Sequence, residues 1–430
     1  MSTFAALGLS PTLCVTLDRL GYQSPTDIQA RAIPLALAGG DLVARAETGT
    51  GKTAAFGLPI VQRLTASRPS GPRTPRALVL VPTRELAEQV ARALTDFSSG
   101  GPLRITAIYG GASMGLQIRA LRRGLDVVVA TPGRLIDHLE RGTIDLRAVG
   151  ELTLDEADRM LDMGFLPALK RIVTALPASR RTLLFSATLP DAVLRLSAEF
   201  THEATRVDVT AGRVVAASVT HQVHPVQAEH KRALLTHLLS SQDTDQALVF
   251  CKTKRGSDKV GLHLERAGLA VAVIHGDKSQ GQRQRALGAF KSGRLQVLVA
   301  TDVAARGLDI AHLPLVVNFD LPLVPEDYVH RVGRTGRAGR EGRAVSLVSA
   351  GERTLLRGIQ RLLPAPLHTS HVEGFAPPAE VVVRDGARDG ERRPHSMAIA
   401  PKGGRGPVRG RHAAPRHPSR GPRRHRPQFA

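Results

Sequence analysis

Tryptophan is absent from the 430-residue chain, and tyrosine (three) and phenylalanine (eleven) are scarce. Contact with a nucleic acid therefore cannot rest mainly on stacking, the sequence-tolerant device that aromatic rings supply. Cys14 and Cys251 are the only cysteines, far apart and in no metal-ligand spacing. That excludes a disulfide framework or a zinc module and leaves two buried structural thiols as the expectation. No apolar run reaches the roughly 18 residues that a membrane-spanning helix needs. The opening MSTFAALGLS has no basic segment followed by a long apolar one. A reducing cytoplasm is the compartment these features fit, and without a coiled-coil pattern a monomer is expected.

Acidic residues are also in deficit, with 38 Asp and Glu against 59 Lys and Arg, a net charge of +21 that favours a polyanionic partner. The excess is uneven: residues 385–430 hold twelve Lys and Arg against three Asp and Glu. The hydrophobic share, 42%, is ordinary for a globular protein, and the length allows two substantial cores.

Short apolar runs recur, each closed by a small or polar turn and followed by a helical pattern. They are Asp41–Ala44, Ala77–Val81, Asp126–Ala130, Leu152–Leu154 and Thr182–Phe185, then Gln246–Phe250, Val271–Ile274, Gln296–Ala300, Leu315–Phe319 and Ala344–Val348. Near-continuous Val/Leu/Ile runs alternating with helices predict parallel sheets covered on both faces. The pattern occurs twice around a weakly structured stretch near Asp208–Thr220. We read an α/β chain of two tandem domains, 1–208 and 220–370, joined by a linker over 209–219 and followed by a basic tail over 371–430. From about Pro377 the chain turns rich in Gly, Pro, Arg and His, a composition that cannot offset its ordering entropy.

The segment Ala46-Glu47-Thr48-Gly49-Thr50-Gly51-Lys52-Thr53 lies between a strand-like and a helical run and reads as a P-loop, with Ala46 at the usual first glycine. Glycines let backbone N–H groups turn inward around phosphate oxygens, and the following helix adds its positive N-terminus. Lys52 would put a point charge at the β- and γ-phosphates, and Thr53 a hydroxyl on Mg2+. The bland alternative is a glycine-rich turn that happens to precede Lys-Thr. Asp155-Glu156-Ala157-Asp158 weighs against it, because carboxylates at the end of a buried parallel strand point into the ligand crevice. Asp155 would hold Mg2+ and Glu156 would orient and deprotonate the attacking water.

These residues and their neighbours, from about Phe4 to about Leu363, resemble the DEAD-box RNA helicases of helicase superfamily 2. The segment Ile274–Phe290 and the basic tail resemble the bacterial RhlE-type subgroup. The resemblance implies two RecA-like domains that bind ATP, Mg2+ and RNA. It implies an adenine-reading motif over Gly21–Gln29, with Tyr22 and Asp27 where the family often has Phe and Pro. Within it Thr26 and Gln29 would serve the nucleotide, Gln29 at the base edge, while Phe4 would stack on adenine. Thr48, Gly49, Thr50 and Gly51 would cradle the phosphates. Ser186 and Thr188, in Ser-Ala-Thr, would bond the carboxylates and, with Asp158 and His330, couple hydrolysis to strand separation. Arg334 and Arg337 would act as arginine fingers, and Asp309 would reach the ribose or those arginines. Arg331 and Arg340 are left between that motif and a basic RNA surface.

The implied RNA path takes Thr83, Arg84, Gly111, Thr131, Gly133 and Arg134 from the first domain, and Thr253, Gln280, Arg283 and Thr301 from the second. Backbone N–H groups, hydroxyls and arginine suit phosphate and ribose rather than base edges, so sequence-independent binding is expected. Arg84 and Arg134 also have a structural reading, as salt-bridge partners of nearby carboxylates. The tail, with Gly403-Gly404-Arg405-Gly406 and Arg409-Gly410-Arg411, reads as an electrostatic tether or as a solubilising extension. Ribosome assembly and RNA decay are both compatible settings. Two other functions use the same residues: a DNA-directed translocase, and an RNA-binding scaffold with a decayed ATP site. Intact Lys52, Glu156, Arg334 and Arg337 weigh against the second.

Overall fold

The computed structural model describes residues 3–47, 49–67, 74–99, 101, 103–209, 219–241, 245–305, 310, 313–336, 342–363 and 367–375. All lie within the unit Met1–Val382. The first half forms β1 (Leu42–Arg45), β2 (Ala77–Leu80), β3 (Ile105–Ile108), β4 (Val127–Ala130), β5 (Glu151–Leu154), β6 (Arg181–Ser186) and β7 (Thr205–Asp208). These make one seven-stranded parallel sheet ordered β3-β4-β2-β5-β6-β1-β7. The second half forms β8 (Val219–Pro225), β9 (Ala247–Cys251), β10 (Val271–Ile274), β11 (Val297–Thr301), β12 (Leu315–Asn318), β13 (Gly342–Val348) and β14 (His368–Thr369). Their sheet is ordered β10-β11-β9-β12-β13-β8-β14, the same permutation repeated.

Central strands are apolar throughout because helices cover both faces of each sheet. Val127, Val128 and Val129 are all fully buried, yet they serve two cores. Val127 and Val129 pack with helix Lys52–Ala66, whereas Val128 packs with Leu135 and Leu169 on the opposite face. Each such valine contributes about 1.5–3 kcal/mol. The effect on function is positional: strand ends, not strand faces, are left for chemistry.

Four strands escaped the periodicity, β3, β7, β14 and the interior β8, which begins in the stretch read as weakly structured. β3 is an edge strand of alternating character, Ile-Thr-Ala-Ile, and only half buried. β7, Thr-Arg-Val-Asp, buries little more than Val207, so nothing in its composition marks it. It falls at the start of the stretch expected to be weakly structured; residues 210–218 of that stretch, and the tail from 376, lie outside the described residues. Val372 and Phe375, within the span read as tail, pack on the core of the second half. Cys14 corrects an expectation. It lies on the half-exposed side of helix Pro11–Arg19, whereas Cys251 is fully buried and burial pushes its thiol pKa up. No described helix is long and apolar enough to cross a membrane.

Two polar groups in the second half matter later. Lys231 opens helix Lys231–Ser241 after β8 and is buried. Its ammonium donates to Glu352 at 2.5 Å and to the Phe319 carbonyl at 2.8 Å, with Asp320 at 3.9 Å. On β8 itself, His221 bonds the Tyr328 hydroxyl at 2.9 Å and His224 the Ser370 carbonyl at 2.9 Å. Each imidazole leaves a buried Nε2 without a hydrogen-bond partner.

Burial lowers the pKa of both histidines, with His368 and His371 adding repulsion. The folded state therefore resists protons that the unfolded chain accepts at about pH 6.5. Stability should be level above that value and fall as pH drops through it, since the unfolded state then binds more protons. Thermal melts between pH 5 and pH 8 (an interval set by about that value) should show this slope, flattened in His221→Asn/His224→Asn. An unchanged slope in the double variant would assign it to other groups.

Candidate active site

The P-loop turns between β1 and helix Lys52–Ala66. Gly51 adopts φ 93°, and a Cβ there would stand 2.3 Å from Gln29 Nε2, so both backbone and space demand glycine. The preceding motif braces this turn. Thr26 donates its hydroxyl to the Thr50 carbonyl at 2.7 Å, and Gln29 Nε2 donates to the Gly51 carbonyl at 3.1 Å. Gln29 Oε1 accepts from the Thr26 amide at 3.0 Å. Gln29 is 1% exposed, so its first role is to hold the phosphate loop. Each amide atom retains one further hydrogen-bonding direction. Phe4 is buried edge-on to Tyr22, ring centroids 6.3 Å apart.

Lys52 Nζ is buried without a hydrogen-bond partner, 4.0 Å from Asp155 Oδ1. Asp155 follows β5 and accepts from the Glu156 amide at 3.0 Å. Burial pushes the Asp155 pKa up to about 6 against the pull of Lys52. Glu156 sits at φ 55°, ψ 52°, a left-handed conformation costly for a glutamate, and its Oε2 is buried and unpartnered. A buried ammonium without a hydrogen-bond partner, beside two buried carboxylates, leaves hydrogen-bonding capacity that a bound ligand would satisfy. The oxygens of Thr53 and Asp155 are hard donors, and one lysine does not compensate a carboxyl this buried. The donor set therefore fits Mg2+.

Asp158 is the junction. Its amide donates to Ser186 Oγ at 3.2 Å, and Oδ2 accepts from both the Thr188 amide and hydroxyl at 2.8 Å. Burial raises its pKa, but Lys52, His330 and the Thr188 bonds outweigh this and hold it below the usual carboxylate range. The pKa of His330, on helix Pro325–Val332 of the second half, is lowered by burial and by Arg159, against the pull of Asp158, Asp327 and Glu156. Arg159 from the first half lines one pocket with Phe250, Asp302, Asp327, His330 and Arg334 from the second. The site is thus assembled from both sheets. Thr48, Asp309, Arg337 and Arg340 lie outside the described residues.

Arg331 is not a surface cation. It is 2% exposed and forks onto Asp302 at 2.6 and 2.7 Å. It also donates to Asn318 Oδ1 at 2.9 Å and lies over the Phe250 ring. A guanidinium so committed shapes the loop that carries Arg334.

Of the expected RNA-facing residues, Arg84 lies against the Gly110–Gly111 turn, where Gly111 at φ 83° leaves it room. Thr83 and Thr253 cap helices Arg84–Phe97 and Lys254–Arg266. Thr131 and Thr301 are buried at strand ends, and Gly133 is open. Gln280 has both amide atoms buried and unpartnered, as a ligand-seeking group would. Two arginines also have partners within the protein. Arg134 donates to the Ala112 carbonyl at 3.1 Å and Gln117 at 3.3 Å and pairs with Asp137, tying down the loop beside the track. Arg283 crosses between halves to Glu85 at 2.9 Å and donates to the Ala304 carbonyl at 3.3 Å. Both arginines meet protein oxygens close by. Sequence reasoning missed Arg159 and the pairing of Glu85 with Arg283, because these partners become neighbours only when the halves meet.

Two RecA-like sheets with a P-loop on the first define a tandem RecA-like nucleotide-binding protein. The family model for DEAD/DEAH box helicases matches residues 26–196, and that for the helicase conserved C-terminal domain matches residues 230–339. The ATP-dependent RNA helicase DeaD of Escherichia coli is 46% identical over 363 residues, covering 84% of this chain and 57% of DeaD. The DEAD-box ATP-dependent RNA helicase CshA of Geobacillus kaustophilus is 44% identical over 375 residues, covering 85% of this chain and 79% of CshA. Among solved structures, S. cerevisiae Dbp5 bound to RNA and ADP BeF3 superposes with a TM-score of 0.78 at 31% identity, covering 86% of this chain and 96% of that one. The chain belongs to the DEAD-box helicase family, although it spans only 57% of the length of the DeaD relative.

Proposed function

We propose that this chain is an ATP-dependent RNA helicase, hydrolysing ATP in response to RNA and using the cycle to open short duplexes and remodel ribonucleoproteins irrespective of sequence. The observation that carries the reading is the composite site: Lys52 lies 4.0 Å from Asp155 in the first half, His330 of the second half interacts with Asp158 and Glu156 of the first, and Arg159 shares a pocket with His330 and Arg334. Dbp5, a relative in fold, binds RNA together with ADP BeF3, which supports the same pairing of ligands here.

In this reading the loop amides and Lys52 hold the phosphates of ATP, and Gln29 and Phe4 serve the adenine. Glu156 takes a proton from water as its oxygen bonds the γ-phosphorus and the bond to the bridging oxygen breaks. Arg334 and Arg337 neutralise the charge that develops there. Mg2+, held by Thr53 and Asp155, supplies positive charge at the phosphate oxygens when bound. Asp158 links the reaction to Thr188 and, through His330, to the second domain. ATP and RNA each bind across both domains, so each favours closure and the two bind cooperatively. Closure leaves the strand bent and incompatible with a continuous duplex. Arg84, Gly111, Thr253 and Gln280 form the RNA path, and the basic tail adds a salt-sensitive tether. The cytoplasm is the compartment that fits, with ribosome-assembly or RNA-decay complexes as settings.

Steady-state ATPase activity should rise strongly with single-stranded RNA and little with single-stranded DNA. Equal stimulation by DNA would make the chain a DNA translocase. RNA binding without any turnover would make it a scaffold.

A further inference from the structure

The two halves touch on the nucleotide side through the Asp158–His330 region and again, far along the cleft, on the side where RNA would lie. There, helix Arg84–Phe97 presents Glu85 and Glu88 one turn apart, and helix Gln280–Lys291 presents Arg283 and Gln284. Arg283 takes Glu85. Gln284 Nε2 reaches both oxygens of Glu88, at 2.9 and 2.7 Å. Glu88 is held from its own side as well, because Tyr109 donates its hydroxyl to Oε1. Tyr109 directly precedes the Gly110–Gly111 turn against which Arg84 lies. One carboxylate is therefore joined to the presumed RNA loop on one side and to the other domain on the other.

We propose that Tyr109, Glu88 and Gln284 form an RNA-side latch, in which Glu88, fixed by Tyr109, receives Gln284 only when the domains close. The latch rests on the RNA-dependent function proposed above. None of the three residues faces the phosphate site, so they are positioning residues whose work is to set how much RNA is needed for closure. Glutamine is the informative choice at 284: its amide donates to a carboxylate, whereas a glutamate there would set two negative charges against each other. Because Gln284 is exposed, its bond tunes the closing equilibrium and does not create it. The consequence is a change in apparent RNA affinity with little change in turnover once the clamp is full.

The test is an RNA titration of ATPase activity in the full chain as wild type, Gln284→Glu and the swapped pair Glu88→Gln/Gln284→Glu. Gln284→Glu should raise the half-maximal RNA concentration about tenfold (~1.4 kcal/mol). Activity without RNA and at saturating RNA should stay within about twofold, below the ~1.4 kcal/mol of a tenfold effect. The swapped pair restores one amide facing one carboxylate and should recover most of the loss. Superimposable wild-type and Gln284→Glu curves would overturn the latch, as would a swapped pair no better than the single variant. A wild type indifferent to RNA would instead remove the functional reading beneath it.

Discussion

Replacing Glu156 with Gln should lower RNA-stimulated ATP turnover by about 10²–10⁴-fold, the range lost with a general base, while leaving ATP and RNA binding in place. The substitution keeps size and shape and removes only the negative charge. Glu156 is 5% exposed, with Oε2 lacking any partner, so its carboxylate is not holding the fold together. A buried unpaired charge costs stability, and the neutral amide should melt at the same temperature or higher. The backbone is also fixed independently, since the Glu156 amide is tied to Asp155 Oδ1 at 3.0 Å. Phosphate release measured at saturating RNA, beside nucleotide binding followed by fluorescence, separates the two effects. Retained turnover in Glu156→Gln would place the base elsewhere.

Arg334→Ala should cost about 10³-fold or more in turnover, the scale set by arginine fingers in phosphoryl transfer. The prediction is specific to chemistry because, in the proposed function, the nucleotide's main contacts belong to the other half. Lys52 and the P-loop do not move when Arg334 is truncated, so ATP affinity without RNA should change little. The surrounding motif should also survive, since Arg331 carries its own bonds to Asp302 and Asn318. Arg334→Lys restores the charge but not the fork and should rescue only part of the loss. Single-turnover hydrolysis with ATP and RNA saturating reads this directly. A defect confined to ATP affinity would mean that Arg334 serves binding alone.

How much of this was legible in the chain depends on where each residue finds its partners. The strands that carry catalytic residues were visible because they are central and buried on both faces, as in Leu152–Leu154 before Asp155. Edge strands such as β7 and β14 were not, because burial leaves little mark on their composition. The P-loop and the Asp155–Asp158 cluster were readable because each uses residues close in sequence. Arg283 and Arg134 were read as RNA ligands because arginine suits phosphate. Only the fold reveals that Glu85, some two hundred positions from Arg283, stands within 2.9 Å. Arg331 shows the same limit from within one domain, since its partners Asp302 and Asn318 come from different strand ends. The finer subgroup reading rests on the Ile274–Phe290 pattern and the basic tail.

The repeated strand order puts Lys231 in the second half where Lys52 stands in the first, at the head of the helix that follows the sixth strand across. Each has a carboxylate from beyond the middle strand nearby, Asp155 at 4.0 Å from Lys52 and Asp320 at 3.9 Å from Lys231. The difference is what completes the charge. Lys52 lacks a hydrogen-bond partner, whereas Lys231 is filled by Glu352 at 2.5 Å, an anion the chain supplies to itself. The duplicated architecture therefore keeps one ammonium for a ligand and satisfies the other from within the chain. In the motor proposed above, a single nucleotide would be spent per closure, and the second half would be free to specialise as the jaw that bites down on the first.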